Sequence, residues 1–108
     1  MEDYTKLLKL LSSRGIDVSL LVINAGSMSK GKLENVSGRE LSELMDVNMY
    51  HPTAMLKKFL PVLKKREDKS GIIVVSSIVG DSPIPAIATY SASKAYLNYL
   101  SSAVDQEI

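Results

Sequence analysis

Residues 71–77 read GIIVVSS, and this stretch decides the fold more than any other part of the chain. Residues 72–75 are all β-branched and therefore favour an extended backbone. An unbroken apolar run of this kind is typical of a strand buried on both faces of a parallel sheet. Residues 18–23, VSLLVI, form a second such run. The sequence therefore predicts two doubly buried strands, at Val18–Ile23 and Ile72–Val75.

Outward from that stretch, the segment between the strands predicts a long amphipathic helix. Ser37, followed three residues later by Glu40, has the form of a capping box at a helix start. From Leu41 to Leu63 the apolar residues recur at spacings of three and four, which places them on one helix face. Pro52 is expected to interrupt this helix because proline has no N–H to donate.

Two further helices complete the predicted order of elements. Tyr4–Ser12 forms a short apolar-faced helix, and a last helix runs from about Thr89 to the end of the chain. The order is helix, strand, long helix, strand, loop, helix, which contains a right-handed βαβ unit. Such units belong to α/β sheets with helices on both faces. Two strands do not complete such a sheet, so we expect the chain to be part of a larger domain.

The composition excludes several classes of function. The chain has no cysteine, which removes disulfides and thiolate metal sites, and the single His51 cannot form a metal site alone. The basic run 64–66 is followed by Glu67 and Asp68, which indicates a solvated helix end rather than a nucleic-acid patch. No apolar stretch approaches the roughly 20 residues of a membrane span. We therefore expect no metal, no nucleic-acid partner and no membrane span in this chain.

Polar residues follow both predicted strands, where ligands bind in open α/β sheets. Asn24–Gly26 follows the first strand, and Ser76–Ser77 follows the second. Tyr90 comes 13 residues after Ser77, and Lys94 lies one helical turn beyond Tyr90. Residues four apart on a helix face the same way, so Tyr90 and Lys94 are expected to reach one site together.

A tyrosine and a lysine at this spacing have a specific chemical use. A free phenol has a pKa near ~10, which is too high for efficient proton exchange at neutral pH. A lysine ammonium about 4 Å away favours the phenolate by roughly 4 kcal/mol at an effective dielectric constant of ~20. Ser77 could then hold the oxygen of a substrate while Tyr90 passes a proton to it. These side chains contain no hydride donor, so a redox reaction would need a cofactor.

Together these segments resemble the short-chain dehydrogenase/reductase family. The resemblance rests on Asn24-Ala25-Gly26, on Asn48, on residues 71–77, and on Tyr90-Ser91-Ala92-Ser93-Lys94. It implies a partial Rossmann-like, doubly wound parallel sheet and an NAD(P)(H)-dependent oxidoreductase acting on a ketone or alcohol.

The resemblance also implies a role for each matching residue. Tyr90 is the general acid or base, and Ser77 positions the substrate carbonyl. Lys94 lowers the pKa of Tyr90 and binds the nicotinamide ribose. Asn48 holds a water that links Lys94 to solvent. The segment Asn24, Ala25 and Gly26 lines the adenosine side of the cofactor.

Pro52 gives an argument about Asn48 that is independent of the family. Pro52 occupies the position whose N–H would bond the Asn48 carbonyl in a regular α-helix. The missing donor leaves that carbonyl free for water. One interpretation is that Pro52 presents the carbonyl to a proton relay. The other is that Pro52 only fits the helix to the sheet.

Residues 83–94 and the pair Leu60-Pro61 resemble one branch of the family, which contains 17β-hydroxysteroid dehydrogenase type 12 and very-long-chain 3-oxoacyl-CoA reductase. That branch implies NADP(H) rather than NAD(H). It also implies a fatty acyl-CoA or steroid ketone as substrate in lipid metabolism, and the endoplasmic reticulum. In this family the two long helices often form the subunit interface, so a homodimer is expected.

Two features of the family have no counterpart in residues 1–108. The glycine-rich turn that grips the cofactor pyrophosphate is absent, and the later strands are not found either. The expectation is that residues 1–108 are the central part of one reductase domain. Two alternatives stay open: a truncated noncatalytic product that binds or dimerises with a full-length relative, and a noncatalytic nucleotide sensor.

Overall fold

Two parallel strands and four helices make up the fold. The structure, a computed structural model, describes residues 1–108. The elements are α1 (Glu2–Ser13), β1 (Leu20–Ile23), α2 (Gly38–Met45), α3 (His51–Lys64), β2 (Gly71–Val74) and α4 (Ala88–Glu107). Short 3₁₀ turns lie at Leu33–Asn35 and Ile78–Asp81. This order confirms the predicted α/β class with a βαβ unit and flanking helices.

The two strands pair in parallel and bury one face of the sheet. Leu20 lies opposite Gly71, and Ile23 lies opposite Val74. Side chains alternate across a strand, and every second one enters the core. The buried core comprises Leu21, Ile23, Leu56, Phe59 and Leu63, with α1 and α4 adding Leu8, Leu11 and Leu100 at its edge.

The other face of the sheet is exposed, so the prediction of strands buried on both faces is wrong for residues 1–108. Leu20 and Val22 are 54% and 51% exposed. Ile73, which neighbours Val22 across the sheet, is 49% exposed. The reason is that α1, α3 and α4 all contribute to the core on the same face. The apolar run correctly predicts a strand, but residues 1–108 do not provide the layer that would cover the second face of the sheet.

The long helical segment begins as predicted, at a capping box on Ser37. The Glu40 carboxylate accepts a hydrogen bond from the Ser37 N–H at 2.9 Å, and the Ser37 Oγ accepts one from the Glu40 N–H at 3.1 Å. These two bonds satisfy backbone donors that the first helical turn would otherwise leave free. The Ser37 N–H and the Ser37 hydroxyl, which donates to the Glu40 carboxylate at 3.0 Å, both stabilise the carboxylate and hold the pKa of Glu40 below its usual value.

Pro52 does not interrupt the helical segment, which corrects the prediction. A π-helical turn, Asp46–Tyr50, joins α2 to α3, and the His51 N–H donates to the Asp46 carbonyl. Pro52 then lies in the first turn of α3, where its missing N–H costs little. π turns inside helices occur frequently at functional sites. Asn48 lies within this π turn.

The basic run at the end of α3 contains an ion pair within the chain. Arg66 binds the Asp17 carboxylate through two hydrogen bonds of 2.9 and 3.0 Å. Arg66 also donates to the Ser70 hydroxyl, which ties the loop before β2 to the segment before β1. No helix combines the length and the apolar character that crossing a bilayer requires.

Candidate active site

The carboxyl ends of β1 and β2 lie side by side because the strands are parallel and in register. Asn24–Gly26 leaves the sheet at this edge from β1, and Ser76–Ser77 leaves it from β2. The Ser76 hydroxyl donates to the backbone carbonyl of Lys94 at 3.2 Å. This bond holds the first half of α4 against the edge of the sheet, as expected for a ligand site in such a fold.

Tyr90 and Lys94 share one face of α4. The Lys94 ammonium nitrogen lies 5.5 Å from the centre of the Tyr90 ring. Lys94 is only 4% exposed, and this burial lowers the pKa of its ammonium group. The ammonium forms no salt bridge, and no side chain or carbonyl accepts a hydrogen bond from it. The Lys94 side chain is therefore largely buried, while its ammonium tip still reaches solvent and bonds no other group of the chain.

The side chain of Asn48 is fully buried in the π turn and completely hydrogen-bonded. Its Oδ1 accepts from the Ser27 N–H at 2.7 Å. Its Nδ2 donates to the Ser27 carbonyl at 2.8 Å and to the Ser93 hydroxyl at 3.1 Å. Asn48 thus ties the loop after β1 to α4. Because Pro52 has no N–H, the α-helical bond to the Asn48 backbone carbonyl is absent.

Ser77 begins the 3₁₀ turn Ile78–Asp81. Its Oγ accepts a hydrogen bond from the Val79 N–H at 3.3 Å, so the hydroxyl proton is available to another acceptor. The turn lies directly on α4 at Gly80. A Cβ at Gly80 would come within 2.9 Å of the Lys94 carbonyl carbon and 2.8 Å of Asn98 Nδ2. Only glycine permits this close approach of Ser77's turn to the helix of Lys94.

The loop after β1 also contacts the loop before α4. The Gly31 N–H donates to the Ala86 carbonyl at 2.8 Å, and the hydroxyls of Ser29 and Thr89 lie 3.4 Å apart. Ala86 has a φ of +69°, which L-residues other than Asn and Asp rarely adopt. Both loops that flank Tyr90 are therefore connected by hydrogen bonds.

A family model described as "short chain dehydrogenase" matches residues 1–108. The chain belongs to the short-chain dehydrogenase family. The predicted family is confirmed, and so is the Rossmann-like fold class.

The similar proteins include very-long-chain 3-oxoacyl-CoA reductases together with other reductases and dehydrogenases of the family. The very-long-chain 3-oxoacyl-CoA reductase of Podospora anserina is 33% identical over 99% of this chain and 31% of its own length. The 3-dehydrosphinganine reductase of Arabidopsis thaliana is 33% identical over 100% of this chain and 33% of its own length. The chain thus spans about a third of these relatives. The predicted resemblance to the 3-oxoacyl-CoA reductase branch is confirmed.

A solved structure shows the same arrangement of elements. The alcohol dehydrogenase of the archaeon Thermococcus sibiricus, in complex with 5-hydroxy-NADP, superimposes with a TM-score of 0.88 and 29% identity. The match covers 98% of this chain and 44% of that enzyme. A metagenomic short-chain oxidoreductase in complex with NADP has the same arrangement, with a TM-score of 0.82 and 31% identity, which supports a nicotinamide cofactor for the family.

The residues of the site fit a hydroxyl-rich group such as a nicotinamide ribose. The Lys94 ammonium has unused donors, and its tip is not sealed from solvent. The Gly26 backbone lies beside it: a Cβ there would be 3.5 Å from Lys94 Nζ. Residues Asn24 and Ala25 are exposed at the end of β1. No group of three or more His, Cys, Asp or Glu side chains is placed to hold a metal ion.

The structure brings most of the predicted site residues to one place. Gly26 lies beside the Lys94 ammonium, which in turn lies beside the Tyr90 ring. Asn48 is linked to the Tyr90 backbone through the Ser93 hydroxyl. The turn that begins at Ser77 packs on α4. Asn24 and Ala25 lie at the same sheet edge and are exposed. Sequence reasoning missed the structural parts played by Ser27, Ser76, Gly80 and Ser93.

Two of the missed residues had a signal in the sequence. Ser93 lies inside the Tyr90–Lys94 motif, and Ser76 adjoins Ser77, so the sequence places both hydroxyls close to the candidate site. Gly80 carries no such signal, because only the packing of its turn on α4 makes glycine necessary.

Proposed function

We propose that the protein carrying this chain is an NAD(P)(H)-dependent oxidoreductase that interconverts a ketone and a secondary alcohol. The observation that carries this proposal is the nearly buried Lys94 ammonium beside the Tyr90 ring, next to the turn of Ser77. A bound nicotinamide cofactor would supply the hydride. The residues of this chain supply binding, orientation and the proton.

Three side chains divide the work on the substrate oxygen. The Ser77 hydroxyl, whose proton is not used within the chain, donates to that oxygen and positions it. The Tyr90 phenol gives its proton to the same oxygen during reduction and takes it back during oxidation. The Lys94 ammonium stabilises the phenolate that is left, because an opposite charge in a poorly solvated site acts strongly.

Asn48 serves this site in two ways. Its side chain fixes the loop after β1 to α4 through Ser27 and Ser93. Its backbone carbonyl, without an α-helical donor because of Pro52, accepts from a water that returns the proton from solvent. Gly26 and the Lys94 ammonium would hold a bound cofactor, and Asn24 and Ala25 would contact its adenosine side.

The proposed substrate is a 3-oxoacyl-CoA or a related lipid ketone, and the proposed cofactor is NADP(H) rather than NAD(H). The two curated relatives named above are a 3-oxoacyl-CoA reductase and a 3-dehydrosphinganine reductase, which supports a lipid ketone. The 5-hydroxy-NADP of the archaeal enzyme supports the choice of cofactor. A steroid ketone is the second substrate class to be compared.

The catalytic assignment is tested by removing the phenol oxygen of Tyr90. The full-length protein is assayed by NADPH absorbance with a 3-oxoacyl-CoA, 3-dehydrosphinganine and a steroid ketone. Tyr90→Phe should lower kcat by about 10²- to 10⁴-fold, as expected for loss of a general acid. Tyr99→Phe is the matched control, because Tyr99 lies on the same helix and is exposed. Full turnover by Tyr90→Phe would contradict the assignment.

We also propose that residues 1–108 are the central part of one reductase domain. The share of about a third of the curated relatives supports this, as does the exposed sheet face at Leu20 and Val22. The competing proposal is a short noncatalytic product that pairs with a full-length relative. Residues 1–108 expressed alone should unfold without a cooperative transition and bind no NADPH, measured by calorimetry. A folded dimer that does not bind NADPH would favour the competing proposal.

The proposed homodimer of the full-length protein uses the long α2–α3 segment and α4. Large side chains of the α2–α3 segment are exposed, among them Met45, Tyr50 and Val62. Sedimentation velocity of the full-length protein should give twice the monomer mass. A monomer at micromolar concentration would remove this part of the proposal.

A further inference from the structure

The hydroxyl of Ser93 connects two parts of the proposed site. Ser93 is 1% exposed. Its Oγ donates to the Tyr90 backbone carbonyl at 2.7 Å and accepts from Asn48 Nδ2 at 3.1 Å. A hydroxyl has one proton and two lone pairs, so these two bonds fix its orientation. The hydrogen-bonded path therefore runs from the π turn through one hydroxyl to the backbone of Tyr90.

The same path continues to the loop after β1. The Asn48 amide that donates to Ser93 also donates to the Ser27 carbonyl, and its oxygen accepts from the Ser27 N–H. Removal of the Ser93 hydroxyl would leave one N–H of a fully buried amide without an acceptor. Asn48 could then turn away from Ser27 or pull α4 out of place, because unpaired buried donors are unfavourable.

Other serines of α4 lack this connection. The Ser91 hydroxyl donates to the Ala88 carbonyl at 3.0 Å, and the Ser101 hydroxyl donates to the Leu97 carbonyl at 2.7 Å. Both bonds stay within the helix, which is the common local pattern for serine. Ser93 makes the same kind of bond and adds a contact across 45 residues of sequence.

We propose that Ser93 is a positioning residue that locks the Tyr90 turn of α4 onto the Asn48 amide and so fixes Tyr90 and Lys94 relative to the loop after β1. This inference rests on the proposed function, in which Tyr90 and Lys94 act on one substrate oxygen. Ser93 does not touch the substrate. It acts through the backbone of Tyr90 and through Asn48, where a displacement near 1 Å changes rates by about 10²-fold.

The test compares three variants of the full-length protein. Ser93→Ala removes both bonds, Ser93→Cys keeps a weak donor and acceptor of similar size, and Ser91→Ala removes a hydroxyl from a neighbouring buried serine. Each is assayed for kcat and KM with NADPH and a 3-oxoacyl-CoA, for Tm, and for hydrogen exchange of peptides covering residues 88–96.

Ser93→Ala should lower kcat by about ten- to a hundredfold while the KM for both substrates changes less than about threefold. Ser93→Cys should fall between the alanine variant and the parent, and Ser91→Ala should keep kcat within about twofold. Exchange over residues 88–96 should rise in Ser93→Ala more than in Ser91→Ala. If Ser93→Ala does not fold, the kcat and exchange of Ser93→Cys decide the question.

Equal effects of Ser93→Ala and Ser91→Ala on kcat and exchange would overturn the positioning role. A loss of Tm in Ser93→Ala without any change in kcat would do the same, since it would show a structural role only. If the parent protein shows no NAD(P)H-dependent turnover with any ketone, the proposed function fails. Hydrogen exchange then still decides whether Ser93 locks the Tyr90 turn.

Discussion

Substitution of Gly80 by alanine is the sharpest test of how the turn of Ser77 is placed against α4. A Cβ at Gly80 would lie 2.9 Å from the Lys94 carbonyl carbon and 3.1 Å from the Ala95 nitrogen. Both are backbone atoms of a helix and cannot rotate away. Asn98 Nδ2, at 2.8 Å, belongs to a side chain that can move. The helix backbone therefore decides the outcome.

The magnitude follows from these distances. Ordinary contacts of a Cβ begin at 3.4 Å, so the turn must retreat by about 0.5 Å from the helix. Overpacking of this kind destabilises a protein by about 1–3 kcal/mol. The retreat also moves Ser77 away from Tyr90 and Lys94. Since misplacement by 1 Å lowers rates by about 10²-fold, we expect kcat to fall roughly tenfold.

The assay has an internal control. Gly38→Ala also adds one methyl group, but a Cβ at Gly38 would meet nothing within 4 Å, and Gly38 lies in α2. That variant should be as stable as the parent or up to about 1 kcal/mol more stable, because alanine favours the helix. Both variants are compared by urea unfolding and by kcat with NADPH. Gly80→Ala with parental stability and turnover would refute the reasoning.

Three further predictions concern single side chains of the site. Lys94→Met should raise Tm while it abolishes turnover, because burial of the Lys94 side chain disfavours its charged form in the folded protein. Burial lowers the pKa of Lys94, so the parent is destabilised most at a pH where the lysine is charged in the folded and the unfolded protein. The gain in stability from Lys94→Met should therefore shrink as the pH rises towards the pKa of a free lysine. Asn48→Asp should destabilise the protein by about 3–5 kcal/mol at pH 8 in urea unfolding, because a buried carboxylate would face the Ser27 carbonyl. The loss should be smaller at pH 5, where protonation of the new carboxyl supplies a donor. Ala86→Gly should raise stability by up to about 1 kcal/mol, since relief of the left-handed φ outweighs the added entropy of the unfolded chain. A drop in Tm in Ala86→Gly would contradict this.

The sequence predicted the elements of this fold well because each has a local cause. The β-branched run 72–75 predicts β2, and the Ser37–Glu40 box predicts the start of α2. The covering of the sheet could not be predicted in the same way. An apolar residue such as Val22 shows that a face requires cover, but not which part of the protein supplies it.

The site was predicted to the extent that its residues share a helix or follow a strand. Tyr90 and Lys94 are one turn apart, so their common face follows from helix geometry alone. The partners of Asn48 lie 21 and 45 residues away along the chain, and no local pattern encodes those distances. The π turn also could not be predicted. Pro52 predicts a missing hydrogen bond to the Asn48 carbonyl, but it does not predict the π turn Asp46–Tyr50 that precedes it.

The core and the site are held together by different interactions, and this determines how substitutions will act. The core of Leu21, Phe59 and their neighbours is apolar and packs between the sheet and the helices. The site is held by hydrogen bonds of Asn48 and Ser93 and by the close approach of Gly80. Hydrogen bonds and close contacts define positions within tenths of an ångström, while apolar burial contributes most of the stability. Truncation of Phe59 should therefore unfold the protein before it alters the site, whereas loss of the Ser93 hydroxyl should slow the reaction in a protein that is still folded.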